Sequence, residues 1–392
     1  MYALLDRLEQ QPIRVTMSDT TRFPDGQVVI DDALLLASLF NGLYNRHFIP
    51  LLPLLIQEVA ARNPHVIRAL ADQLSIDPHQ VSRGLHTAVN CYEVAPFNPP
   101  AMMDSAYAQH PRLAPFSAGL RHNHAICDAW HDVRAGAREV RPVRSDIPTL
   151  IFGGAFDPAT PPSNGRQAAK TLPNSTFIEA PALGHIVVPF TACTQELMGT
   201  FLDAPSEPLD TRCVDDLPPV SFVTDVAIEG GIYPLAQRIQ QGPGVPFAAG
   251  IGVMALLLLS GVVAWSIGFV WRRLRGTQGL APNQRMGRLQ QGARWSAGLA
   301  SLGALVFLAG LVVTLLSTAS SNPFVLAFGV PGAARWLFVL PWVVAALTAA
   351  GSAFAVEATR KGWWTPVHRV HYALVVTACV GFIVFVSAYG LW

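Results

Sequence analysis

The sequence predicts an α/β unit preceded by a mostly helical region and followed by an all-α membrane region of four helices. Three observations carry that expectation. Four apolar runs of about 20 residues or more fill the last third of the chain, the length a helix needs to cross a hydrocarbon layer of ~30 Å. An apolar β-type stretch, a helix signal and a second β-type stretch follow one another between 147 and 180, the order of one right-handed crossover unit. Charge is also split along the chain. Of the 27 Lys+Arg and 26 Asp+Glu, residues 1–244 carry 17 and 25, leaving ten bases and one acid for residues 245–392. With 51% hydrophobic and only 14% charged residues, against roughly 25% charged in soluble proteins, the chain is neither disordered nor a single ordinary soluble enzyme. No Lys/Arg run interleaved with aromatics points to nucleic acid, and none is expected as a partner.

Residues 1–145 read mainly as helix. The β-type pieces at 14–17 and 28–30 flank a turn at Pro24-Asp25-Gly26 and predict a short hairpin. Residues 33–44 and 50–62 carry apolar residues at helical spacing. Pro96 to Pro100 breaks the chain, and helices are expected at 102–108 and 125–130. From Asp146 the pattern changes. Residues 147–154 are a short apolar run of the kind buried on both faces of a parallel sheet. Asp157 follows, then Pro161-Pro162 opens a helix over 163–172, with Thr160 or Pro161 near its cap. A second strand over 175–180 leads to Leu183-Gly184-His185. Asp157 and His185 thus each follow a parallel strand and share one carboxyl edge, where open α/β sheets place ligand sites. A carboxylate there fixes an imidazole's tautomer and stabilises the imidazolium formed during proton transfer. On spacing alone an Asp and a His so far apart mean little. Residues 146–216 form this portion, and 217–244, ending in Gly-Pro-Gly, read as a linker.

The membrane runs are approximately 245–271, 295–317, 334–356 and 371–392, uncharged inside apart from Arg335 at the start of the third. Small residues recur along them, which lets helices pack closely in lipid. The first loop holds Arg272, Arg273, Arg275, Arg285, Arg288 and Arg294; the second, 318–332, has no charge; the third holds Arg360, Lys361 and Arg369. Basic loops stay in the cytoplasm, so loops 272–294 and 357–370 are expected inside a cell membrane, bacterial by expectation, with the acidic half outside. Cys91, Cys127, Cys193 and Cys213 all lie in that outer half, where two disulfides persist. Four cysteines allow three pairings; nearest neighbours, Cys91–Cys127 and Cys193–Cys213, are preferred. Cys379 reads as a small apolar helix residue.

Residues Ile147 to His185, with Asp157-Pro158-Ala159-Thr160-Pro161-Pro162 as the most specific part, resemble the end of an α/β-hydrolase of the tripeptidyl-aminopeptidase and proline-iminopeptidase group. Val89-Asn90-Cys91-Tyr92-Glu93, Cys127-Asp128-Ala129-Trp130 and Asp210-Thr211-Arg212-Cys213-Val214 resemble that group's lid, lid exit and C-terminal end. The resemblance covers roughly residues 4–216. It implies the C-terminal part of an α/β-hydrolase fold with a helical lid, the N-terminal strands and nucleophile elbow missing. It also implies Asp157 as triad acid and His185 as triad base. The residue after the histidine is usually Gly in that group; here it is Ile186. Glu93, a lid acid, is a candidate for holding a substrate's free amine. The lid aromatics Phe40, Tyr44, Phe48 and Phe97 suit either an apolar pocket or ordinary core.

Such hydrolases place their nucleophile in a G-x-S-x-G elbow after a strand, and the sequence has no such motif. Ser117 and Ser296 come nearest, each in a Ser-Ala-Gly context without the first glycine. Residues 1–15 lack the apolar core of a signal peptide. The expectation is therefore a fragment, or one half of a split protein, of a membrane-anchored serine hydrolase acting on a peptide or a small ester or amide. Its partners are the lipid bilayer and, on this reading, a separate polypeptide carrying the missing half; alone, the chain is expected to be inactive. The competing expectation is a non-catalytic membrane protein whose outer domain binds a peptide or protein. No cofactor is expected. His122, His124, Cys127, Asp128 and His131 cluster in sequence, but a disulfide at Cys127 removes that ligand, and no metal site is expected. His368 and His371 flank the last run and read, with Trp363, Trp364 and Tyr372, as interfacial anchors.

Overall fold

The computed structural model describes residues 1–392 except 18, 20, 22, 74–81, 131–133, 275–283 and 363, with backbone alone at 73, 114–120, 272 and 284–290. It divides into two compact units, Met1–Thr224 and Asp225–Trp392.

The first unit opens with the helix Tyr2–Gln10, which buries Leu4, Leu5 and Leu8 on one face. The expected hairpin follows: β1 (Ile13–Thr16) pairs antiparallel with β2 (Gln27–Ile30), from Ile13↔Ile30 to Thr16↔Gln27. Gly26 supplies the positive φ of +64° that the turn needs. The helix Asp32–Gly42 starts where the Asp31 carboxylate accepts from the Leu34 N–H at 2.8 Å, an N-cap that satisfies one orphan donor. Further helices cover Leu52–Ala60, Pro64–Gln73, Arg83–Val89, Pro100–Ala108 and Ser117–Trp130. A π-helical turn, Asn90–Val94, carries Cys91 to its bridge with Cys127.

The crossover unit is present. β3 (Thr149–Gly154) and β4 (Ser175–Ala180) are parallel, in register from Thr149↔Ser175 to Gly154↔Ala180, joined through the helix Pro162–Ala169. The strand is less enclosed than its composition suggests. Leu150, Ile151 and Phe152 are only half-buried and Ile147 is 71% exposed. Burial on both faces needs neighbours, and among the described residues this sheet has two strands. One side is covered by Ala192–Asp203 and Arg212–Asp215, where Ile178, Leu197 and Val214 pack with Leu150 and Phe152. The Cys193–Cys213 bridge joins those two helices.

Among its described residues the second unit contains four helices long and apolar enough to cross a membrane: Val245–Trp271, Gln291–Ser321, Gly332–Arg360 and Pro366–Tyr389, with mean hydropathy between 1.9 and 2.5. The chain is in this respect an integral membrane protein. The third span opens as a 3-10 segment, Gly332–Val339, before Leu340–Arg360. Leu258, Phe307, Leu337, Val344, Phe382 and Val386 belong to one continuous core, with the Phe307 ring edge-on to Phe338 at 6.0 Å and to Phe382 at 5.5 Å. Small residues make the close approaches: a Cβ on Gly310 would stand 2.5 Å from Leu337, and one on Gly261 2.8 Å from Ser301. The Tyr372 hydroxyl lies 3.0 Å from the carbonyls of both Ala293 and Gly351, tying the fourth span to the second and third. Part of the expected linker is structured. Val226–Ala227 pairs with Val330–Pro331, and the helix Ile232–Gln240 buries Ile232 and Leu235 in the membrane-unit core. The spacing of Ile232, Leu235 and Ala236 was there to be read, but a short amphipathic helix has no partner until the fold supplies one. Arg335, the one charge at the start of the third run, pairs with Asp225 at 3.1 Å. In the first basic loop Arg275 lies outside the described residues, as do the side chains of Arg272, Arg285 and Arg288.

Candidate functional site

The site is built where the two parallel strands end. β3 finishes at Gly154, pressed against the loop after β4: a Cβ there would stand 2.0 Å from the Gly184 carbonyl. Gly184 is as tightly held, since a Cβ on it would meet the Leu43 carbonyl at 2.0 Å. These contacts bring the two loops together and set Asp157 beside His185. Asp157 is 7% exposed, and every acceptor position it offers is used. Its Oδ1 accepts from the Ala159 and Thr160 N–H groups at 2.9 Å each. Its Oδ2 accepts from the Thr160 hydroxyl at 2.7 Å and faces His185 Nδ1 at 2.9 Å. An ionised carboxylate is an acceptor only, so Nδ1 donates and Nε2 is the nitrogen left to take a proton. The imidazole is more open than its partner, with the side chains 30% and 5% exposed.

Burial, the largest single influence, would raise the Asp157 carboxyl. The hydrogen bonds from Thr160 (N–H and hydroxyl), His185 and Ala159 together outweigh it and hold the group below the usual carboxylate range. Tyr44 packs its ring 4.8 Å from His185, and its hydroxyl is pushed up by burial and by the Asp157 charge. The turn that carries Tyr44 is fixed to the histidine loop by Arg46, which donates to the Phe190 carbonyl, and by the His47–Phe190 ring pair at 6.5 Å. Burial and the Arg46 charge lower His47.

Ile186, after the histidine, adopts φ +59°. That is the left-handed region that favours glycine, the residue expected at this position by resemblance. Two participants escaped the sequence reading. Thr160, expected near the helix cap, gives its hydroxyl to Asp157, and Pro161 takes the N-cap; the signal was its place inside the Asp-Pro-x-Thr-Pro-Pro segment. Tyr44, grouped with the lid aromatics, stacks with Phe40 at 5.6 Å and also reaches the imidazole. Phe48 is core, and Phe97 sits apart in the 3-10 turn Ala95–Phe97.

Glu93 is exposed on the π-helical turn, and among the described residues no hydrogen bond or ion pair joins it to Asp157 or His185. Both cysteine pairs are nearest neighbours, with Cα–Cα separations of 5.0 Å for Cys91–Cys127 and 5.7 Å for Cys193–Cys213; Cys379 is free and buried. Among the described residues no serine hydroxyl lies within hydrogen-bond distance of His185. Ser296 is buried and donates to the Ala293 carbonyl, and the Ser117 side chain lies outside the described part. No group of three His, Cys, Asp or Glu side chains converges among the described residues; His131 of the His/Cys/Asp stretch lies outside them. His371 shares a hydrogen bond with Ser260 at 3.1 Å, His368 shares one with the Thr365 hydroxyl at 2.6 Å, and the Trp364 and Tyr372 rings are 4.6 Å apart; Trp363 lies outside.

Residues 112–213, which hold Asp157, His185 and three of the four bridged cysteines, match the family model described as TAP-like protein. That match supports an α/β-hydrolase relationship for this quarter of the chain. No curated protein matches the chain, and no solved structure matches it.

Proposed function

We propose that this chain is the lid and C-terminal portion of a membrane-anchored, extracytoplasmic serine hydrolase, aminopeptidase-like in its substrates, with Asp157 and His185 as two members of its triad. The observation that carries the reading is the 2.9 Å contact between Asp157 Oδ2 and His185 Nδ1 at the carboxyl edge of the parallel strands, inside the segment related to α/β-hydrolases. In this mechanism a serine from outside the 392 residues, on the same or a separate polypeptide, attacks an amide or ester carbonyl. His185 Nε2 takes the serine proton and delivers it to the leaving group, and Asp157 holds the imidazole and stabilises its charged form. Without that serine the chain is inactive. The acidic half faces away from the cytoplasm, in keeping with the basic loops and the two bridges. Glu93 is retained as a candidate for the substrate amine, at the lid turn anchored by Cys91. The runner-up, a non-catalytic peptide-binding membrane protein, is not favoured by the fully hydrogen-bonded Asp157.

The test is hydrolysis of aminoacyl p-nitroanilides and p-nitrophenyl esters by protein solubilised from source membranes. His185→Ala is expected to lower kcat by about 10⁶-fold and Asp157→Asn by about 10⁴-fold, with the isolated chain of 392 residues silent. Activity that survives in His185→Ala sinks the assignment.

A further inference from the structure

The membrane unit holds a cavity that hydrolysis does not use. It encloses about 360 Å³ between the first, second and fourth spans, inside the roughly 300–1,000 Å³ range of small-molecule sites. It lies at the end where those spans enter the two basic loops. Two chemistries share its wall. Trp265, Trp364 and Tyr372 make one flank aromatic, while Arg294, His368 and His371 line the same space. Trp and Tyr are the side chains that sit at headgroup depth in a bilayer, with one part apolar and one part wet.

The wall is held in place from behind. Tyr372 is fixed by the Ala293 and Gly351 carbonyls, Trp364 packs on its ring, and Ser260 shares a hydrogen bond with His371. Gly298 makes room for the indole of Trp265, whose ring a Cβ would meet at 2.4 Å. The Trp265 indole N–H is buried with no acceptor among the described residues, a donor whose desolvation costs free energy. The surrounding charge is one-sided. Arg273, Arg360 and Arg369, at the helix ends that enter those loops, are basic, and the one acid of the unit beyond residue 244, Glu357, is paired with Lys361 at 2.6 Å.

A wholly apolar ligand makes no use of Arg294 and the histidines, and a small free anion makes no use of the aromatic flank. An amphipathic anion uses both, and pockets of basic residues between membrane helices suit anionic headgroups. We propose that this cavity binds an anionic phospholipid from the leaflet on the side of the basic loops. Its phosphate lies against Arg294, His368 and His371, and the start of its acyl chains lies along the aromatic flank. The inference is independent of the hydrolase assignment.

The test is native mass spectrometry of the full chain extracted from vesicles of phosphatidylglycerol and phosphatidylcholine in equal parts. The wild type is expected to retain phosphatidylglycerol over phosphatidylcholine. Arg294→Gln lowers that retention about fivefold, the effect of one cation near the surface, and the paired His368→Gln and His371→Gln substitutions lower it too. Ala264→Phe, which fills the cavity and changes no charge, has the same outcome, whereas Arg335→Gln at the opposite end of the third span does not. Excess inorganic phosphate leaves the bound lipid in place. Equal retention of the two lipids by the wild type overturns the proposal without recourse to any variant. So does wild-type retention in folded Arg294→Gln and Ala264→Phe proteins, or displacement of the lipid by phosphate.

Discussion

The two units spend their polar groups differently. In Met1–Thr224 the buried carboxylate Asp157 takes three hydrogen bonds from its own loop and one from His185, and it follows a sheet that has two strands among the described residues, with small cores around it. In Asp225–Trp392 the core is continuous from Ala227 to Leu391, and the buried Tyr372 hydroxyl reaches backbone carbonyls of two neighbouring helices. A buried carboxylate held by its own loop and by a more open imidazole is the pair that the proposed mechanism uses. Buried groups that bridge helices are glue, which in lipid replaces the missing hydrophobic drive between helices. The contrast teaches which polar residues to test for activity and which for assembly.

The largest break in that comparison should come from reduction. The crossover portion has small cores, and the first unit carries two bridges with sequence separations of 36 and 20; the loop-closure argument gives each about 3–4 kcal/mol. Dithiothreitol, or Cys193→Ala with Cys213→Ala, is expected to open residues 146–216 to hydrogen exchange while the membrane helices keep their protection. Equal loss in both units would show that the bridges are not what distinguishes them. A smaller effect sharpens the site itself. Ile186 holds φ +59°, a conformation that costs a side chain with a Cβ about 1–2 kcal/mol. Ile186→Gly should therefore raise stability, by about 0.5–1 kcal/mol once the greater freedom of the unfolded glycine is deducted; a thermal melt reads it, and a loss of stability contradicts the strain.

The smallest effect is in pH. The Asp157 carboxyl is depressed in the folded protein, so its contribution is complete above the ordinary aspartate value of about 4 and is lost as pH falls through the depressed one. The stability gap between wild type and Asp157→Asn should be widest near neutrality and close on acidification. A gap that widens in acid reverses the sign.

Much of this was legible in sequence because it is local. The apolar run ending in Gly153-Gly154, the β-type stretch over 175–180 and the Gly26 turn each fix their element within a few residues. The four spans needed only length and the absence of charge. Nearest-neighbour cysteines suffice when a short chain folds back on itself. What escaped depends on contacts between distant segments. Nothing near Tyr44 marks it for His185; the link is the Leu43 carbonyl pressed on Gly184. The half-exposure of β3 likewise could not be read from its own residues, since burial belongs to the neighbours of a strand.

One measurement bears most directly on the central claim: fluorophosphonate labelling of the native protein in source membranes, followed by peptide mapping of the modified residue. The account predicts a labelled serine outside residues 1–392 that copurifies with this chain, and labelling abolished in His185→Ala. A labelled serine within Met1–Trp392, or labelling that does not depend on His185, would contradict it.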